Sequence, residues 1–397
     1  MSTHARRAAI RWVILTIIFV HSCMAVTRIT ASLWVLRGGY GESAVGMMLS
    51  LFAVGPIFLS LWAGHLADRF GLHRPLGIAV LLATAGALSV LLHEAVWTLA
   101  ISCLCSGGAI SMAIVAIQRE AGQMAAEPAE LKQIFSWLAL GPALSNALAP
   151  VVTGFLIDGW GVKAAFCLAA LLPPVAWLVA LGVPRVTPAP PHADSRERAA
   201  WDLLKLPMLR RILLVNLALS ACWDAHIFVV PVVGYARGLS ASSIGLVLGS
   251  FATAATLIRL VIVRYGDRID EVRALRGAML LAAGVLVAYA WLPGTVGLML
   301  GSGLLGMALG SVQPMVLSMM HHATPPDRQG QALGLRMLVI NSATVSMPTG
   351  FGLLAAATVP AMPLWLMAVA LSAAQWPARK LQGAGAREAA GGDSSPL

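Results

Sequence analysis

The chain has 397 residues, of which 58% are hydrophobic and 11% charged, with a formal net charge of +10 and a mean hydropathy of +0.81. Soluble domains carry about 25% charged residues, so these side chains cannot cover a water-facing surface, which excludes a soluble enzyme, a disordered chain and a nucleic-acid binder. Long uninterrupted apolar runs exclude a transmembrane β-barrel, whose strands alternate apolar with polar residues. They leave an all-α polytopic membrane protein, because helices satisfy their own backbone in hydrocarbon.

A span needs about 20 apolar residues, and on that ruler the sequence predicts twelve. They lie at roughly 11–36, 44–64, 75–93, 97–119, 133–157 and 164–183, then 210–236, 242–264, 275–293, 295–319, 331–355 and 360–377. The basic stretch Met1–Arg11 leads into an apolar run like that of a signal peptide, but no small-residue cleavage site interrupts it before Leu36, so an uncleaved first span is expected. Residues 184–209 hold Pro188, Pro190 and Pro191 beside Asp194, Arg196, Glu197 and Arg198, the composition of a solvated linker. The predicted organisation is an N-terminal six-helix bundle (1–183), a cytoplasmic linker (184–209), a C-terminal six-helix bundle (210–380) and a disordered cytoplasmic tail (381–397). Cys23, Cys103, Cys105, Cys167 and Cys222 all fall in apolar runs without zinc-ligand spacing and read as packing residues.

Lysine and arginine in the loops set orientation. One set of loops carries Arg6, Arg7, Arg69, Arg74, Lys132, Arg185, Arg210, Arg211, Arg268, Arg273, Arg328 and Arg379 among others, whereas the opposite set carries only Arg37, Lys163 and Arg237. Both termini are therefore expected in the cytoplasm, and the positive net charge is an orientation signal. The halves also repeat: laying Gly41–Gly71 over Ser240–Asp270 without a gap matches Ser43 with Ser242, Gly46 with Gly245, Phe52 with Phe251, Asp68 with Asp267 and Arg69 with Arg268. Two repeated bundles facing each other are the architecture of alternating access.

After the second span comes Gly64-His65-Leu66-Ala67-Asp68-Arg69-Phe70-Gly71-Leu72-His73-Arg74. This resembles the loop 2–3 signature of the major facilitator superfamily, G-x-L-a-D-R-x-G-R/K-R/K, with Leu72 and His73 standing where basic residues are usual. Together with twelve spans, linker and repeat, the resemblance covers essentially the whole chain. It implies two pseudo-symmetric six-helix bundles, with Asp68 as a cytoplasmic latch against the eleventh span, whose start is Pro325-Pro326-Asp327-Arg328, and Asp267-Arg268 as a weaker second latch. Gly64 is expected to let two helices approach closely, and Gly71 to permit a sharp turn. A partial match to the fifth-span signature of drug/proton antiporters, G-x-x-x-G-P-x-x-G-G, runs from Asn146 through Pro150 to Gly154, preceded by Gly141-Pro142. Pro142, Pro150 and Pro348 each remove a helix hydrogen bond and predict kinked helices.

Ionisable residues inside spans are functional candidates. At about 1.5 Å per residue, Asp224 lies about 20 Å into the seventh span as the one acid clearly in the core, with His226 close by. Arg28 is similarly deep in the first span and Arg259 in the eighth, and Arg28 with Asp224 forms a natural charge pair. Arg336, near a span end, is expected to snorkel. The superfamily resemblance places the first, fourth, seventh and tenth spans around the central cavity, which adds Gln118, Glu120 and Gln313. Asn341 and Asn146 are mid-span amides that either bond a substrate or join helices. No P-loop, nucleophile elbow, metal-ligand set or dinucleotide fingerprint is present.

The function expected from these residues is secondary transport without enzymatic activity or cofactor, in a cell inner membrane, by a monomer. Proton-coupled efflux of a small organic or drug-like solute comes first, with Asp224 exchanging the proton. Import or export of an organic anion is the alternative, since Arg28 and Arg259 outnumber the one core acid. A membrane sensor on the same fold is a third. The partners expected are a small-molecule substrate, protons and the bilayer.

Overall fold

A computed structural model describes residues 3–124, 128–184, 200–265, 270–324 and 329–381. Its twelve α-helices among the described residues are α1 (Thr3–Arg37), α2 (Gly41–Phe70), α3 (His73–Leu92), α4 (Val96–Gln123), α5 (Pro128–Trp160), α6 (Val162–Ala180), α7 (Pro207–Ala236), α8 (Ala241–Tyr265), α9 (Glu271–Ala288), α10 (Gly294–Ala323), α11 (Gln329–Ala357) and α12 (Met362–Arg379). Among the described residues eleven helices are long and apolar enough to cross a membrane. The expected twelfth span, α12, is not among them, because Gln375 and Arg379 dilute its 18 residues.

Helix packing repeats between the halves. In the first, α2 packs on α4, α3 on α4 and α6, and α1 on α4, α5 and α6; in the second, α8 packs on α10, α9 on α10 and α12, and α7 on α10, α11 and α12. The helix ends repeat too: Gly39 (φ +76°) stops α1 and Gly238 (φ +69°) stops α7, each in the left-handed region that favours glycine. Two seams join the halves, α2 against α11 and α5 against α8. At the first, a Cβ on Gly46 would fall on the carbonyl of Pro348; at the second, a Cβ on Gly245 would fall on the carbonyl of Pro150. The glycine pair aligned by the sequence repeat is thus one contact made twice. Ser50 Oγ and Thr349 Oγ1, 2.8 Å apart, add a hydrogen bond to the α2–α11 seam.

These approaches lie toward one end of the molecule, the far end, which carries the α1–α2, α5–α6, α7–α8 and α11–α12 turns. The three basic residues of its sparse loops are all engaged there. Arg37 faces Asp158 at 3.7 Å, Lys163 pairs with Glu94 at 2.6 Å, and Arg237 donates to the carbonyls of Leu292 and Ala290. The opposite, near end carries the α2–α3 and α6–α7 connections. Gly64 differs from expectation: among the described residues nothing lies within 4 Å of a Cβ placed there, whereas Gly46 and Gly245 make close approaches.

Overpacking a tight helix contact costs about 1–3 kcal/mol, which shifts a two-state equilibrium by roughly one to two orders of magnitude. Gly46→Leu should therefore force the far end apart. Electron–electron resonance between spin labels at exposed Tyr40 and Val359, one on each half, should report a longer distance. An unchanged distribution would mean that the seam accommodates bulk.

Candidate functional site

The candidate site lies where α1, α2, α5, α7, α8 and α11 meet between the halves. Its acid is Asp224 on α7, which accepts a hydrogen bond from Thr344 Oγ1 on α11 at 3.1 Å. Thr344 sits four residues before Pro348. Proline has no N–H to give, so the Thr344 carbonyl loses its helical partner beside that carboxylate. Asn146 and Pro150 stand in the same relation on α5, and both line a recess of about 50 Å³ with Arg28, Trp223 and Phe251. A drug-sized ligand needs about 300 Å³ or more, so in this conformation the recess has room for little more than one functional group.

Arg28 on α1 has its guanidinium carbon 5.6 Å from the centre of the Phe52 ring, a cation–π contact. Its Nε is buried and makes no hydrogen bond among the described residues. The expected pairing with Asp224 takes the form of electrostatic attraction at longer range. Among the described residues no ion pair within 4 Å joins them, because the carboxylate turns to Thr344. Arg259 on α8 is held more firmly. Its Nε donates to the Gly310 carbonyl at 3.3 Å and its Nη2 to Gln313 Oε1 at 3.2 Å, while its guanidinium lies 5.8 Å from the Trp223 ring. Trp223 in turn meets Phe251 edge-on at 4.6 Å.

Other sequence candidates go elsewhere. His226 is fully buried inside the C-terminal half, where its Nε2 lies 2.9 Å from Ser302 Oγ, that hydroxyl lies 2.6 Å from Tyr289 OH, and the ring stacks on Phe251 at 4.2 Å. Two residues along a 3.6-residue helix is a turn of about 200°, which takes it away from the face of Asp224. Glu120 is also buried. It lines a cleft of about 620 Å³ with Leu66, Phe70, His73, Arg74 and Trp177, formed by α2, α3, α4 and α6 within the N-terminal half rather than between halves. Gln118 and Asn341 are exposed on α4 and α11, and Pro142 lies half-buried within α5. Gly154 packs against the backbone of Ala241 and Ser242. Arg336, expected to snorkel, is instead buried, with an Nε that makes no hydrogen bond among the described residues.

At the near end Gly71 adopts φ +71° and closes α2, and the Phe70 ring lies 5.1 Å from the Arg69 guanidinium and 3.9 Å from that of Arg74. The Asp68 side chain, Asp267, Arg268 and Pro325 to Arg328 lie outside the described residues.

One interface residue escaped the sequence reading. Asp158, at the far end of α5, accepts hydrogen bonds from the backbone N–H groups of Ala241 (3.0 Å) and Ser242 (2.7 Å). It thereby caps α8 across the interface, an anion on a helix N-terminus. An acid at a span end reads as a solvated loop charge. Its signal was the serine-rich start of the eighth span, Ser240 to Ser243, a helix N-terminus in need of an acceptor.

Two pseudo-symmetric helical halves, sealed at one end and enclosing a few charges between them, define a polytopic membrane transporter. The family model of the Major Facilitator Superfamily matches residues 13–348, and the chain belongs to that superfamily. It is a transporter and not an enzyme. A tetracycline resistance protein, class B, of Escherichia coli is 28% identical over 141 residues, which are 34% of this chain and 33% of that relative, so the match spans about a third of the relative's length. Solved structures share the fold. A nucleoside transporter, NupG, superposes with a TM-score of 0.77 at 13% identity, covering 94% of this chain and 99% of the other. A bacterial homologue of the human lysosomal transporter Spinster, solved inward-facing and unoccupied, gives 0.75 at 13% identity with 100% of each chain covered. A peptide transporter in complex with sulfate gives 0.73 at 16%, covering 96% and 94%.

Hydrogen bonds to a charged acceptor contribute about 1.5–3 kcal/mol, and solvent reaching a carboxylate that is 28% exposed reduces this to about 1–2 kcal/mol. Asp158→Ala should thus loosen the α5–α8 seam. Hydrogen exchange at the Ala241 and Ser242 amides should accelerate about tenfold, with a smaller effect from Arg37→Gln. Unchanged exchange would show that the cap contributes nothing to closure.

Proposed function

We propose that this chain is a proton-coupled secondary transporter that exports a small organic solute from the cytoplasm across a cell inner membrane, acting as a monomer with both termini cytoplasmic. The observation that carries the reading is the environment of Asp224. The Thr344 hydroxyl lies 3.1 Å from both the Asp224 carboxylate and the Ile340 carbonyl. With Asp224 ionised, the threonine donates to it. With Asp224 protonated, the acid donates to Thr344 Oγ1 and the threonine turns to Ile340. Both protonation states stay hydrogen-bonded, so the group can gain and lose a proton without leaving a buried polar atom unsatisfied, which an acid locked in an ion pair cannot do. The bilayer is the solvent, and the cytoplasmic latches at Asp68 and Asp267 are what the superfamily resemblance implies.

Export is supported by the similarity to the tetracycline resistance protein and by the partial antiporter signature around Pro150 and Gly154. A second reading, transport of an organic anion, is favoured by Arg28 and Arg259 set against a single acid. Expelling an anion from a negatively charged interior is itself favourable by about 2.3 kcal/mol per charge per 100 mV, so the two readings are compatible in direction.

In proteoliposomes with tetracycline as the first probe, a pH gradient should drive transport by the wild type. Asp224→Asn should lose at least tenfold of that gradient-driven flux and keep solute exchange at equilibrium, which needs no net proton movement. Equal driven flux in the variant would rule Asp224 out as the proton carrier.

A further inference from the structure

We propose that the substrate is a small aromatic carboxylate, its anionic group held by Arg28 in the recess between the halves and its ring set against Trp223 and Phe251. This rests on the transport reading above and specifies what is carried.

Arg28 provides the first half of the case. A guanidinium is a rigid fork that matches a carboxylate with two parallel N–H···O bonds. Here its Nε is buried and has no acceptor among the described residues. The neighbours that offset its charge are the Phe52 ring face and the more distant Asp224. Burying an arginine on those terms is costly, and a carboxylate from outside the chain would supply the missing acceptor. The recess beside it, about 50 Å³, holds a carboxyl group in this conformation, and the ring reaches Trp223 and Phe251 once the halves part. The Asn146 amide on the same wall offers a further polar contact.

The wall supplies the second half. Apart from Arg28 and Asn146 the recess is apolar, with Trp223 and Phe251 as its large surfaces and Ile227 and Leu248 beside them. An aliphatic polyanion would desolvate charge against these side chains for no return, whereas an aromatic ring gains stacking. Arg259 sits over Trp223, fixed by Gly310 and Gln313, and adds a second positive charge at the edge of the same aromatic surface. Two guanidiniums against the Asp224 carboxylate leave a surplus of one positive charge, which a monoanion neutralises. A cation would be repelled, and a neutral solute would leave Arg28 Nε without its acceptor.

The test is binding to the purified full-length protein in lipid nanodiscs by titration calorimetry, with 1-naphthoate compared with 1-naphthamide (neutral), 1-naphthylmethylammonium (cationic) and cyclohexanecarboxylate (non-aromatic). The wild type should bind naphthoate at least tenfold tighter than each of the three. Arg28→Gln should abolish the preference for carboxylate over amide, and Trp223→Leu the preference for naphthoate over cyclohexanecarboxylate. If Arg28→Gln does not fold, Arg28→Lys, which keeps the charge and loses the fork, should lower the carboxylate preference at least threefold. Amide or ammonium binding as tight as that of naphthoate, or an undiminished carboxylate preference in the Arg28 variants, would overturn the proposal. Tetracycline flux driven by a pH gradient without any carboxylate preference would sink this inference alone. Selective naphthoate binding with no proton-driven flux of any solute would uphold it and sink the proton-coupled reading.

Discussion

Inside hydrocarbon a polar atom finds its partner within the protein or goes without, and this constraint organises everything else in the molecule. The backbone meets it by being helical. Side chains meet it by bonding their own helix, as Thr27, Thr30 and Thr153 do to carbonyls four residues back, or by bonding across helices, as in the His226–Ser302–Tyr289 chain. Against that background the groups that do not close their bonds internally stand out. Arg28 Nε is one of them, on a residue that lines the recess between the halves.

The same constraint shapes the seams. With no water to expel between helices in a membrane, association depends on close packing, and glycine against a proline carbonyl brings two backbones closer than any side chain would allow. The prolines serve twice. Their carbonyls receive Gly46 and Gly245, and their missing N–H groups free a carbonyl one turn earlier, at Thr344 and at Asn146. Close packing at the far end and a freed carbonyl at the centre therefore follow from the same two prolines, on α5 and α11. Asp158 adds a polar fastening to one seam, where its carboxylate takes two backbone donors of the opposite half.

Much of this was legible in the sequence because it depends on position along a helix. Span order, the alignment of Gly46 with Gly245, the prolines and the depth of Arg28, Asp224 and Arg259 are all one-dimensional properties. Gln313, expected in the cavity, accepts a hydrogen bond from Arg259. What failed depends on rotation about the helix axis. His226 and Glu120 lie at the right depth yet point into their own bundles, and Gly64 meets no neighbour among the described residues. Near-uniform hydrophobicity erases the amphipathic stripe that assigns faces in soluble helices, so only packing decides. Asp158 was missed for a related reason: its meaning lies in the helix end it meets, far away in the chain.

The repeat also shows where symmetry stops. The offset that aligns Gly39 with Gly238 lays Arg28 over Ile227 and Ala25 over Asp224. Ala25, Arg28 and Ile227 all line the same recess. The scaffold is duplicated, but the chemistry is divided: one half contributes a cation where the other has an aliphatic side chain, and the second contributes an acid where the first has alanine. Had both halves kept both charges, two ion pairs would close the centre and leave nothing for a solute. With Arg28 on one half and Asp224 on the other, and Thr344 drawing the carboxylate aside, Arg28 lines the recess without an ion pair to that acid. Asymmetry of charge on a symmetric frame is what turns a packed interface into a site.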